Sequence, residues 1–107
     1  MLVRVVLIKL ERAFRSDETR RMIAEKTREV LPSAARVKGI SVHLAAGERT
    51  EREWDVCLLV RFETLEDTEV YRTCPVHRAY ADVFLKPMLD KIRVWHFEDY
   101  PGAPSGD

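Results

Sequence analysis

Residues 54–62, WDVCLLVRF, and residues 3–10, VRVVLIKL, constrain this chain more than anything else in it. Both are rich in β-branched residues and read as strands. In the first, Cys57 and Leu59 alternate with Val56, Leu58 and Val60; in the second, Val3, Val5 and Leu7 alternate with Val6 and Ile8. Successive side chains of a strand point to opposite faces, so a sheet containing these strands is apolar on both sides and needs cover on both. A chain of 107 residues makes one domain and has no second layer to spare. A second copy of the sheet is the simplest cover. The patterning therefore predicts a homodimer.

The other elements fall around these strands. Ser16 reads as a helix N-cap, with Asp17 and Glu18 in the first turn, where the helix dipole favours acids. That helix runs to about Leu31 and stops at Pro32, with a stripe of Met22, Ile23, Val30 and Leu31 around Thr27. Val37 to Ala45 reads as a strand, residues 45–53 as a polar turn, and ETLEDTEVYRT as helical, with Leu65, Val70 and Tyr71 on its spacing. Pro75 opens a further helix through about Leu85, and Pro87 bends or ends it. Lys91 to Phe97 is the last strand. The order β-α-β-β-α-β predicts a ferredoxin-like α+β unit with a four-stranded antiparallel sheet, its helices on one face. The domain spans residues 1–100, and PGAPSGD, residues 101–107, reads as a disordered tail.

Composition removes several function classes. Lys plus Arg and Asp plus Glu balance at 18 each, leaving no net basic charge to draw the domain onto nucleic acid. The apolar opening is interrupted by Arg4 and Lys9 and is far short of the ~20 residues of a membrane helix. No cleavable leader follows, and the two cysteines, Cys57 in an apolar run and Cys74, fit a cytoplasmic protein, where a Cys57–Cys74 disulfide is the less expected alternative. No GxGxxG or GxxxxGK[ST] run occurs, and no redox cofactor is expected. Cys57, Cys74, His43, His77 and His96 are scattered over separate elements without the ligand spacing of a zinc site.

Chemistry concentrates in YRTCPVHRAYADVF, residues 71–84. Pro75 fits the first position of a helix, where its missing N–H costs nothing. Cys74 is then the N-cap and His77 the third residue. The thiol could be activated at a helix start or be only a weak cap. His77 feels the positive end of the dipole, which favours a neutral imidazole suited to act as a general base. It could equally be a packing residue with a backbone hydrogen bond. Tyr71 supplies either buried area or a hydroxyl beside His77 for a substrate carbonyl. Tyr80, three residues beyond His77, shares its helical face and reads as pocket wall, as does Phe84. Arg4 sits among apolar strand neighbours and needs a partner. Either it forms a salt bridge at the sheet's end, to Asp55 or Glu53, or it clamps a carboxylate or enolate. Trp54 and Trp95 read as core or interface anchors, and His43 and His96 could face the barrel interior or lie at its rim.

Four pieces in order, VRVVLIKL, WDVCLLVRFETLEDTEVY, CPVHRAYADVF and IRVWHFEDY, resemble the stress-responsive dimeric α/β-barrel family, Dabb. The resemblance covers nearly the whole chain, and the third piece is similar to the family's His-Pro-x-His run, with Cys74 in place of the first histidine. It implies two ferredoxin-like units packed sheet to sheet. One member type is a plant polyketide cyclase, whose tyrosine and histidine in this stretch correspond to Tyr71 and His77. Two further histidines of that cyclase correspond to Arg4 and Val56. The resemblance thus implies a hydrophobic, carbonyl-bearing small molecule in a pocket between sheet and helices, with His77 as base and Tyr71 as donor, and Arg4, Val56, Tyr80 and Phe84 around it. The alternatives are a non-catalytic ligand-binding or structural dimer, and a cofactor-free barrel of the monooxygenase kind.

Overall fold

The computed structural model describes residues 1–101, and the six that follow, most of the tail expected to be disordered, lie outside the described residues. In chain order the elements are β1 (Leu2–Leu10), α1 (Asp17–Val30), β2 (Gly39–Leu44), α2 (Glu48–Glu53), β3 (Val56–Phe62), α3 (Leu65–Thr73), α4 (Pro75–Arg78) and β4 (Leu89–Glu98). Between α4 and β4 the chain continues as a π-helical segment, Ala79–Leu85, and a 3₁₀ turn, Lys86–Met88. The sheet is antiparallel with strand order β2-β3-β1-β4. This is the ferredoxin-like α+β plan.

Local chemistry explains most boundaries. The Ser16 hydroxyl accepts a hydrogen bond from the Thr19 N–H, with Asp17 and Glu18 in the first turn of α1. Thr64 and Asp67 form a reciprocal capping box that starts α3. Residues 45–53 are not the plain turn expected of them, because they contain α2. Gly47, at φ 85°, makes the left-handed turn that lets this helix begin. The helical stripes are also narrower than apolar spacing suggests. Ile23 and Thr27 are the buried residues of α1, and Thr68 and Tyr71 those of α3, whereas Met22, Leu65 and Val70 are exposed.

The two faces of the sheet have different fates. Leu2, Val6, Ile8 and Leu10 of β1 and Val56, Leu58, Val60 and Phe62 of β3 are buried beneath the helices, where they meet Ile23, Leu31, Tyr71, Tyr80 and Leu85. Each such aliphatic side chain contributes roughly 1.5–3 kcal/mol on burial. On the other face Val3 lies in register with Phe97 and Val5 with Trp95 and Leu59. Among the described residues no element covers them, and Trp95 and Phe97 are 47% and 59% exposed.

One end of the sheet is closed by a buried charge cluster. Asp55 is fully buried and accepts the Leu10 N–H at 2.8 Å and two Arg20 N–H groups at 2.9 and 2.8 Å. The Lys9 ammonium stands 3.5 Å away. Burial alone would raise the Asp55 pKa. The Leu10 N–H, Arg20 and Lys9 outweigh it and hold the carboxyl below its usual range.

Candidate functional site

Arg4 lies on the helix-covered face of β1, opposite Val60 on one side and His96 on the other. It is 8% exposed. The carboxylates expected as its partners are engaged elsewhere, Asp55 by Arg20 and Lys9, and Glu53 at 4.0 Å from Lys91. Among the described residues no carboxylate forms an ion pair with Arg4. Its Nη1 instead donates to His96 Nε2 at 3.1 Å. A guanidinium has no acceptor, so this bond fixes the ring's proton on Nδ1. The guanidinium also stands 5.6 Å from the centre of the Tyr71 ring. Its Nε is buried with no hydrogen-bond partner. Burial lowers the Arg4 pKa from its usual value, a shift that the polarity of Tyr71 partly opposes.

Tyr71 and His77 approach this cation from the helices. The Tyr71 ring packs edge-on against Phe62, with centroids 5.0 Å apart, and lies 4.4 Å from the His77 ring. His77 Nδ1 is 3.0 Å from the Arg72 carbonyl. A carbonyl only accepts, so Nδ1 carries the proton and Nε2 keeps the lone pair. Burial lowers the His77 pKa, the Arg72 carbonyl opposes that, and Arg4 lowers it further. The imidazole is therefore neutral near pH 7. Burial likewise drives the Tyr71 phenol well above its usual range, with Arg4 offsetting part of the effect. Tyr71 can donate a proton in a hydrogen bond and does not ionise.

Pro75 opens α4 as the sequence requires, and Cys74 precedes it at the N-cap position. The thiol makes no capping hydrogen bond. What Cys74 contributes is the extended backbone, φ −73° and ψ 150°, that ends α3 and redirects the chain into α4. That corner brings Tyr71 of one helix against His77 of the next.

Arg4, Tyr71, His77 and Tyr80 line one cavity of about 40 Å³, completed by apolar side chains including Val6 and Leu58. A cavity this size admits a water or a carboxylate-sized group and excludes an aromatic ring. Tyr80 is held in place by its hydroxyl. Thr27 Oγ1 gives its proton to the Ile23 carbonyl at 2.6 Å, so the Tyr80 hydroxyl must donate to Thr27 Oγ1, at 2.5 Å. The other two expected site residues lie elsewhere. Val56 lines a separate hollow with His43, Trp54 and Cys57, and the register of His43 with Cys57, which alternates with the helix-covered Val56 and Leu58, puts His43 on the face away from Arg4. Phe84 lines an outer groove of about 290 Å³ with Lys26, Val30, Val83 and Tyr80. Strand alternation left His96 either facing the barrel interior or at its rim and did not pair it with Arg4. Only the register of β4 against β1 puts it beside Arg4.

Residues 2–99 match the stress-responsive A/B barrel domain (Dabb), and the chain belongs to that family. Solved structures agree on the fold. A Dabb family protein from Mesorhizobium loti, described as ferredoxin-like, superposes with a TM-score of 0.75 at 15% identity, covering 92% of this chain and 96% of its own. A protein from Bacteroides fragilis, described as dimeric and ferredoxin-like, gives 0.72 at 21% identity, with 92% and 95% covered. A hydroxynitrile lyase from Passiflora edulis gives 0.75 at 16% identity, with 96% of each chain covered. No curated protein matches the sequence significantly. Among the described residues no three His, Cys, Asp or Glu side chains cluster as a metal site, and no helix is long and apolar enough to cross a membrane.

Proposed function

We propose that this protein is a homodimeric barrel that binds a carbonyl-bearing small molecule between sheet and helices. In this reading His77 acts as general base and Tyr71 as hydrogen-bond donor to the carbonyl. The observation that carries it is the meeting of a neutral imidazole, an un-ionised phenol and a buried guanidinium on one cavity. His77 Nε2 would take a proton from the carbon next to the carbonyl. The negative charge then developing on oxygen would be met by the Tyr71 hydroxyl and Arg4, in a site where low polarity strengthens both. The dimer is supported by the exposed apolar face of the sheet and by relatives described as dimeric. The Passiflora edulis enzyme supports only the point that this fold can house catalysis.

The test is deuterium exchange. Small β-dicarbonyl compounds are incubated with the protein in heavy water, and loss of the α-proton signal is followed by NMR. Exchange above the buffer rate is expected. It should fall by ~10²–10⁴ in His77→Gln, the usual contribution of a general base, and by less in Tyr71→Phe. Both variants should retain the native circular dichroism spectrum. Exchange no faster than buffer, or undiminished in His77→Gln, overturns the catalytic role.

A second reading has its own observation. The cavity of about 40 Å³ is far below the ~300 Å³ of ordinary small-molecule sites. That favours a non-catalytic binding dimer in which only the polar head of a ligand reaches Arg4.

A further inference from the structure

The ligand's chemical class can be read from two features that lie on either side of Tyr80. The first is the state of Arg4. A guanidinium removed from water normally has a carboxylate or a full set of acceptors. Arg4 has one neutral nitrogen acceptor, the face of one aromatic ring and a buried Nε–H with nothing to donate to. Arg4 offers a cation and one open donor in a cavity of carboxylate dimensions, and among the described residues no carboxylate forms an ion pair with it, Glu69 acting only through space. The second feature is the outer groove of about 290 Å³, whose walls are Val30, Ala79, Val83, Phe84 and the Lys26 stem, and which shares Tyr80 with the inner cavity.

We propose that the two hollows are the head and tail compartments of one site for an apolar monocarboxylate, with the carboxylate on Arg4 and the hydrocarbon in the groove. Tyr80 would move from between them when the ligand enters. This deepens the small-molecule reading above and rests on it. The charge selects the head, because a neutral alcohol or amide can accept the Nε–H bond but cannot balance the guanidinium's charge. The groove selects the tail, because it offers almost no polar partner. Lys26, 5.9 Å from the Phe84 ring centre, stands at the groove as a second cation and rejects a tail that carries its own positive charge. Tyr80 sits on the π-helical segment, Ala79–Leu85. Such segments are rare and frequently stand at functional sites, and the movement would exchange the Tyr80 hydroxyl's bond to Thr27 for contact with the ligand.

Octanoate, octanol and acetate serve as probes, with isothermal calorimetry for affinity and the Arg4 Nε–Hε resonance in ¹H–¹⁵N NMR for location. Octanoate should bind at least tenfold more tightly than either octanol or acetate, and should shift the Arg4 Nε–Hε signal. Arg4→Met should erase the preference for octanoate over octanol. Val83→Asp, at an exposed position where folding is not at risk, should weaken octanoate severalfold and leave acetate unchanged. Equal binding of octanol, a preference that survives Arg4→Met, acetate as tight as octanoate, or no saturable octanoate binding would each overturn the proposal. Octanoate has no activated α-proton, so these outcomes are independent of the exchange assay. Failure here leaves the His77 chemistry standing, and failure there leaves the ligand class standing.

Discussion

Replacing Arg4 with Met should make the ligand-free protein more stable, and the size of the gain follows from its surroundings. Two favourable interactions are lost. The hydrogen bond to His96 is worth about 1 kcal/mol net, since His96 is exposed and regains water. The cation over the Tyr71 ring adds about 0.5–1 kcal/mol at its 5.6 Å separation. Against this, the unsatisfied Nε–H is removed, which relieves about 1–3 kcal/mol. The cost of holding an ion out of water, still several kcal/mol after relaxation, disappears as well. Methionine matches the aliphatic stem and makes its own sulfur contact with an aromatic ring. The net expectation is a gain of about 1–3 kcal/mol, within the range seen when buried charges give way to well-packed apolar groups. The assay is equilibrium urea unfolding at one fixed protomer concentration, because a dimer's stability depends on concentration. The m-value should stay constant, so that a shift in midpoint is a shift in stability. A loss of more than about 1 kcal/mol would refute the reasoning. It would mean that Arg4 is satisfied within the protein and is a structural residue.

The other predictions address separate parts of the molecule. Trp95→Glu or Leu59→Glu on the open face should halve the light-scattering mass from two chains to one, and an unchanged mass would place the interface elsewhere. Asp55→Ala should cost about 3–5 kcal/mol in urea unfolding, because it strands buried Lys9 and the Arg20 fork without a counter-charge. His77 and His96 both have lowered pKa values in the fold. The unfolded chain therefore binds more protons than the folded one once the pH drops below about 6.5. Their contribution is complete above that value, declines as the pH falls toward the lowered folded pKa, and is level below it. Urea midpoints measured across that interval should show a shallower decline in His77→Gln than in the parent, and identical slopes would contradict the burial argument.

The fold was legible because strand patterning is a two-sided signal. Runs apolar on both faces declare that a sheet is covered twice, whichever elements do the covering. Helix faces were less legible. Apolar spacing put Met22 and Val70 inward, but in the structure the inward positions of α1 and α3 include Thr27 and Thr68. Both threonines return their hydroxyls to a backbone carbonyl one turn earlier, which lets a polar residue sit in the core without an orphan donor. Thr27 then has an acceptor left for Tyr80. No hydrophobicity pattern reports that arrangement. The α2 helix was hidden for a related reason. ERTERE has no apolar stripe, and its start depends on the backbone that Gly47 permits.

The candidate site shows where sequence reasoning stops and register takes over. Tyr71 and His77 are six residues apart, and a proline between them announces the corner that turns one toward the other, so their pairing could be anticipated. Arg4 could be identified as a charge among apolar neighbours, but its partner could not. Asp55 looked available because it lies at the end of an adjoining strand. Strand register decides otherwise. Arg4 stands opposite Val60 and His96, whereas Asp55 lies past the Ile8–Val56 pair, at the far end of β1, where Lys9 and Arg20 already hold it. A one-residue slip of β4 would send His96 to the open face and leave Arg4 with no acceptor at all. The site therefore depends on a pairing between the first and last strands, 92 residues apart in the chain. That distance is why a buried cation can be seen in the sequence while the space it faces cannot.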